Sequence, residues 1–327
     1  MFIYSVKIAI IWLFLQIIGD DMAKAPKTAY VCNDCGAEYS KWMGQCKECL
    51  SWNTISEVRL ISAKENKSKG DRFSGYAGET SGKVQALSEI SLQEVPRFSS
   101  GFQELDRVLG GGVVPGSAIL IGGHPGAGKS TLLLQVMCGL SQALPTLYVT
   151  GEESLQQVAM RANRLGLPTE HLKMLSETSV EHICNIADQE KPKLMVIDSI
   201  QVMHLADIQS SPGSVAQVRE CAAFLTRYAK TRQVAIIMVG HVTKDGTLAG
   251  PKVLEHAIDA SLLLEGESDS RFRTLRSQKN RFGAVNELGV FAMTEQGLKE
   301  VKNPSAIFLS RSDEQVPGSS VMVLWEG

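Results

Sequence analysis

"GGHPGAGKST", residues 122–131, is the stretch on which the reading of this 327-residue chain turns. It runs from Gly123 through His124, Pro125, Gly126 and Ala127 to Gly128, Lys129 and Ser130, with Thr131 following. The apolar run "SAILIGG" (117–123) precedes it, and a helical pattern begins near Lys129. A glycine-rich loop between a strand and a helix is the context in which this spacing cradles phosphate. The glycines let backbone N–H groups wrap a β-phosphate, and the helix N-terminus adds a favourable dipole. Lys129 is placed to reach the β- and γ-phosphates and Ser130 to ligate Mg²⁺, so ATP with Mg²⁺ is the expected ligand.

Outward from this loop, short apolar runs alternate with helical patterns over residues 99–300, which predicts a mainly parallel α/β sheet. Strands are expected at 117–123, 146–150, 193–199 and 234–241, with further ones around "ASLLLEG", "FRTLRSQ" and "GVFAMT". "LMVIDS" ends in Asp198, suited to the water shell of the metal, with Ser199 beside it. "VTGEES" places Glu152 and Glu153 just past the strand 146–150, expected to neighbour the P-loop strand. A carboxylate there can activate the attacking water; Glu152 is taken as the base, with Glu153 as the alternative.

Ahead of this region, "VCNDCG" and "GQCKECLSWN" give Cys32-x2-Cys35, ten residues, then Cys46-x2-Cys49. Each pair puts two sulfurs on one turn, and two turns complete a tetrahedral thiolate site for Zn²⁺. So short a module buries little core, and metal ligation would supply its folding energy. The lone Cys138, Cys184 and Cys221 fall in predicted helices and read as packing residues.

Composition is that of a globular protein, 44% hydrophobic and 21% charged, with a net charge of −2. This argues against bulk coating of nucleic acid but leaves room for a local basic channel. Seven cysteines, four in tight pairs, fit a reducing compartment with a metal site better than a disulfide framework. "IAIIWLFLQII" (8–18) is apolar but short of the roughly 20 residues of a bilayer span. Residues 1–21 are therefore read as an over-extended start, with a signal anchor as the alternative, and a cytoplasmic protein without membrane attachment is expected. Residues 22–56 form the zinc-binding module, and 57–98, rich in Lys, Ser, Gly and Glu, the linker. Residues 99–300 are the ATPase domain; 301–327 begin a further domain whose strand, "SSVMVLWEG", lacks a partner.

Together these motifs resemble the RecA-like ATPases. "SSGFQELDRVLGGGVVPGS" (99–117) is similar to the lead-in of RecA and KaiC relatives. The four cysteines, "GHVTKDGTLAGPKVLEH" (240–256) and "KNRFG" (279–283) narrow the resemblance to the RadA (Sms) family of bacterial recombination and repair proteins. The resemblance implies a hexameric ATP-driven motor on single-stranded DNA that promotes branch migration of recombination intermediates beside a RecA-type recombinase. It implies that Cys32, Cys35, Cys46 and Cys49 form a zinc finger, that Lys129 and Ser130 bind nucleotide, and that His241 stands where relatives place a γ-phosphate sensor. It also implies DNA-binding loops at 203–214 and 243–252, the second carrying Lys244 and Lys252. The family continues into a Lon-like C-terminal domain, of which only the first strand would remain here. The rival reading, a KaiC-like hexameric signalling ATPase, shares the lead-in and the paired glutamates but not the zinc module or "KNRFG".

Lys279 and Arg281 alternate in "QKNRFG" (278–283), which on a strand points both side chains the same way. A late strand near a sheet edge would let them act as fingers on the nucleotide of a neighbouring copy, a contribution worth about 10³–10⁵ in rate.

Overall fold

The computed structural model describes residues 27–32, 38–48, 50–60, 96–241, 254, 256–266 and 270–303. The expected start at 1–21, most of the linker, the loop 243–252 and the final strand lie outside these residues, as do Cys35 and Cys49. The chain divides into two compact units, residues 1–70 and 71–327.

The first unit is a three-stranded antiparallel sheet in the order β2-β1-β3, with β1 at Lys27–Cys32, β2 at Glu38–Tyr39 and β3 at Ile55–Leu60. Among the described residues its buried apolar cluster is Cys32, Cys46 and Ile55, with Tyr30, Tyr39 and Met43 packed against them.

The second unit is built on a nine-stranded sheet. In chain order it runs α1 (Gln103–Val108), β4 (Ala118–Gly122), α2 (Lys129–Leu140), β5 (Thr146–Thr150), α3 (Leu155–Arg164), β6 (Lys173–Ser176), α4 (Val180–Glu190) and β7 (Leu194–Asp198). Then follow α5 (Val215–Arg232), β8 (Ala235–Val239), β9 (Ala260–Glu265), β10 (Phe272–Asn280), β11 (Leu288–Thr294) and β12 (Gly297–Glu300). The sheet order is β12-β11-β10-β9-β4-β8-β7-β5-β6. The strands from β9 to β6 are parallel, and β10, β11 and β12 extend the sheet antiparallel.

Strand β4 is buried along its whole length, as are β5, β7 and β8. The cause is cover on both faces, which also explains why these strands read as unbroken apolar runs. Ile119, Ile121, Tyr148, Val196 and Ile237 pack in one cluster with Leu132, Leu133 and Val136 of α2. The alternate residues Leu120, Val149, Ile197 and Met238 pack in a second with Ile183 of α4 and Val218, Cys221 and Leu225 of α5. Cys138, Cys184 and Cys221 are buried in α2, α4 and α5. Burial pushes the Cys138 thiol up to about 11 and that of Cys221 to about 12, which keeps both protonated.

The topology corrects one expectation: strand β5 does not neighbour the P-loop strand, because β8 and β7 stand between β4 and β5. Strand β10 lies third from one edge of the sheet, with β11 and β12 pairing outward from it. The chain crosses over between parallel strands through helices, and such crossovers do not preserve sequence order in space.

Candidate functional site

Strand β4 feeds directly into the glycine-rich loop, and α2 begins at Lys129. Two glycines are dictated by their surroundings. A Cβ on Gly123 would meet the carbonyl oxygen of Leu264 at 2.4 Å, and Gly128 holds φ at +104° against Met293 and Leu298. His124, Pro125 and Gly126 are exposed, Ala127 is buried, and Thr131 is half-buried in the first turn of α2. The Lys129 ammonium is buried and donates to the carbonyls of Gly123 (2.6 Å) and His124 (3.0 Å). Burial pulls its pKa down, against the attraction of Asp198 and Glu152.

Asp198 ends β7 and is buried. The Tyr148 hydroxyl of β5 donates to its Oδ2 at 2.6 Å. Burial pushes the Asp198 carboxyl up, and the hydroxyls of Tyr148 and, in the first turn of α2, Ser130 act to hold it down. Burial, together with the neighbouring Asp198, pushes the Tyr148 phenol well above its ordinary range.

The two glutamates after β5 part company. Ser199 donates its hydroxyl to Glu152 Oε1, and His241 Nε2 lies 3.4 Å from the same oxygen. The His241 contact is the main cause that holds the Glu152 carboxyl below the usual carboxylate range; burial opposes it, and Ser199 adds to it. Glu153 turns the other way into an ion pair with Arg161 of α3, and its backbone is tied to the Thr150 hydroxyl. Gly151, just before them, is tightly held: its N–H donates to the Asp198 carbonyl at 2.8 Å, and a Cβ would meet Val202 at 2.5 Å. His241 follows Gly240, whose N–H donates to the Ile121 carbonyl, so the ring sits beyond β8 between the P-loop strand and Glu152. His241 Nδ1 is buried with no hydrogen-bond partner among the described residues.

Lys129, Ser130, Asp198, Glu152 and His241 therefore gather at the carboxyl ends of the parallel strands. Lys279 and Arg281 do not join them. Ala260 and Ser261 at the start of β9 pair with Asn280 and Lys279, which sets these residues at the amino ends of the parallel strands. Strand β10 ends at Asn280 and its register shifts between Ser277 and Lys279, so strand alternation does not carry to Arg281. Both cations nonetheless reach one segment. Lys279 Nζ donates to the Ile258 carbonyl at 2.8 Å, and Arg281 donates to Asp259 Oδ1 (3.2 Å) and the His256 carbonyl (3.3 Å). Asp259, which sequence reasoning passed over, is buried and also accepts from Lys230 (2.8 Å) and from the N–H of Ala118 at the start of β4 (3.0 Å). The signal was available: an acid flanked by apolar residues in "AIDASLLL".

The segment 203–214 is tied to α5 by one side chain. Buried Gln217 accepts from the Leu205 N–H and donates to the carbonyls of Leu205, Ile208 and Ser210.

In the first unit Cys32 and Cys46 are buried, and the donor chemistry suits a metal. The Tyr39 oxygen accepts from the Lys47 N–H at 3.0 Å, which leaves its proton for Cys46 Sγ at 3.2 Å. Thr54 Oγ1 lies 3.2 Å from Cys32 Sγ. Hydroxyls directed at sulfur support thiolate character. The Cys46 knuckle closes through Leu50 N–H to the Cys46 carbonyl, with Leu50 at φ +60°. Cys35 and Cys49, the other two expected ligands, lie outside the described residues.

Comparison with known proteins agrees with this layout. An AAA domain family matches residues 86–247, and the rubredoxin metal binding domain matches residues 30–57. The chain is 84% identical over 306 residues to the DNA repair protein RadA of Haemophilus influenzae and 76% identical over 307 residues to that of Escherichia coli. It is 48% identical over 307 residues to that of Bacillus subtilis. Each match covers 94% of this chain and 66% of the relative, so the chain spans about two thirds of the length of these proteins. With a P-loop ATPase domain, a metal ribbon ahead of it and identity of this depth across distant bacteria, the chain belongs to the RadA family.

Proposed function

We propose that this chain carries the ATPase of a DNA-dependent repair motor that works on single-stranded DNA and branched recombination intermediates. The observation that carries the reading is the convergence of Lys129, Ser130, Asp198, Glu152 and His241 at one edge of the sheet, in a chain whose relatives are DNA repair proteins. Bound Mg²⁺ would sit with Ser130 and Asp198 and neutralise charge on the phosphates. The chain's own groups do the rest. The loop from Gly123 to Thr131 orients the phosphates, Lys129 exchanges its two carbonyl partners for phosphate oxygens, and Glu152 takes the proton of the attacking water. His241, bonded to Glu152, links the state of the γ-phosphate to the base. Glu153, held by Arg161, is left with a structural role.

Lys279 and Arg281 stand at the opposite end of the parallel strands from the P-loop of their own chain. They are assigned to the nucleotide of a neighbouring copy in a closed homo-hexamer, where head-to-tail contacts bring unlike surfaces together. The segment 203–214, with 243–252 beyond the described residues, is assigned to DNA, and a RecA-type recombinase is the expected partner. The ribbon is assigned one Zn²⁺ held by Cys32, Cys35, Cys46 and Cys49, and Zn²⁺ in metal analysis of chelator-free protein is expected; its absence would remove that assignment. A cytoplasmic location is part of this reading and rests on the kinship with DNA repair proteins. Among the described residues no helix is long and apolar enough to cross a membrane.

The test is ATP hydrolysis with and without single-stranded DNA, on this chain and on one extended to the full length of its relatives. Stimulation by DNA is expected. Slow hydrolysis indifferent to DNA in both would favour the signalling-ATPase reading.

A further inference from the structure

Tyr148 lies in a strand that reads as plain core. It is fully buried in the middle of β5, among aliphatic residues of β7, β8 and α2. Its ring fills that core as a Phe would; its hydroxyl does something a Phe cannot. In the β5–β7 ladder Tyr148 pairs with Val196 and Thr150 with Asp198, so Tyr148 is the diagonal neighbour of Asp198 on the same face. Diagonal neighbours across a sheet are within reach only of long side chains. The phenol spans that gap and donates to Asp198 Oδ2 at 2.6 Å.

From this geometry we propose that Tyr148 is a positioning residue of the Mg²⁺ site. The inference rests on Asp198 serving that site, as read above. With Oδ2 held by the phenol, the carboxylate is not free to turn about its Cβ–Cγ bond. Two elements are thereby joined by one side-chain hydrogen bond: the middle of β5 and the end of β7. Side chains that orient a metal's ligands are worth about 10–100-fold in metal affinity. The competing account is that the hydroxyl only satisfies a buried carboxylate, in which case its loss costs stability and nothing else.

Tyr148→Phe keeps the ring and separates the two accounts. Two quantities are measured: the Mg²⁺ concentration for half-maximal hydrolysis, and the thermal shift given by ADP with Mg²⁺ against ADP with EDTA, each relative to that variant's own unliganded melting point. The expected result is a rise of about 10-fold or more in the Mg²⁺ requirement, loss of most of the extra shift due to Mg²⁺, and an unchanged shift with EDTA. In the Asp198→Asn background, adding Tyr148→Phe should change the Mg²⁺ requirement no further, because the phenol acts through Asp198. A lower melting point with the wild-type Mg²⁺ requirement overturns the proposal while leaving Asp198 in its role. If Asp198→Asn alone also leaves the Mg²⁺ requirement unchanged, the placement of Asp198 falls and the proposal falls with it.

Discussion

At the carboxyl end of the parallel strands Asp198 is buried against the Tyr148 hydroxyl; at the amino end Asp259 is buried against two cations, Lys230 and Arg281, and the N–H of Ala118. Among the described residues Asp198 forms no ion pair; Lys129 is near enough to be attracted but directs its hydrogen bonds to the carbonyls of Gly123 and His124. A buried carboxylate with neutral donors keeps an uncompensated charge, which costs stability and suits a metal ion arriving from solution. One already neutralised by side chains is a joint of the fold. Two acids in one sheet thus announce different work by what surrounds them, and each prediction below strains that contrast.

Lys129→Ala should give the largest effect: hydrolysis falls to background, measured by phosphate release, while the circular dichroism spectrum and melting point show a folded protein. The ammonium has little packing role, and its removal relieves a buried charge that the fold holds at a cost. Glu152→Gln comes next, with nucleotide binding kept and turnover slowed by about 10²–10³. Glu153→Gln should stay within a few-fold of wild type, since Arg161 holds that side chain away from Glu152's partners. The reverse ranking would exchange their roles.

The two aspartates should then give opposite signatures. Asp259→Ala strands Lys230, Arg281 and a buried N–H, a loss of about 3 kcal/mol, or about 6–12 °C in melting point for a unit of this size. Asp198→Asn should leave the melting point unchanged or slightly raised. The sign follows from burial, which raises the folded-state pKa of Asp198, so its ionised form destabilises the fold once the pH exceeds the unfolded value. Its Mg²⁺ requirement for hydrolysis should nonetheless rise, by about 10-fold or more. Equal melting points for the two variants would erase the distinction.

Much of the site could be read from residue order, because a P-loop is a local object: one strand, one loop and one helix fix where Lys129 and Ser130 go. The central strands were readable for a related reason, since cover on both faces makes their sequences continuously apolar. What sequence order does not carry is lateral position. The crossover connections put β7 and β8 between β4 and β5, yet Glu152 still meets Ser199 and His241 because all three lie just past strand ends on one edge of the sheet. Strand β6 was missed because it is short and lies partly exposed beside β5 at the sheet's end, and β12 because it has only four residues. Tyr148 was hidden for the opposite reason: in an apolar strand its ring explains its presence and gives no hint of the hydroxyl's partner.

If the carboxyl end binds nucleotide and the amino end serves the nucleotide of the next copy, neither end is sufficient alone. The direct test mixes Lys129→Ala protein with Arg281→Ala protein, each inactive by itself and each confirmed folded by its melting point, with mixed assemblies verified by co-purification through two tags. ATP hydrolysis should reappear in the mixture and depend on the mixing ratio, because some interfaces then join an intact P-loop to an intact Arg281. Mixed assemblies that remain inactive at every ratio would contradict action between copies and return Lys279 and Arg281 to the structural role their contacts with Ile258 and Asp259 already give them.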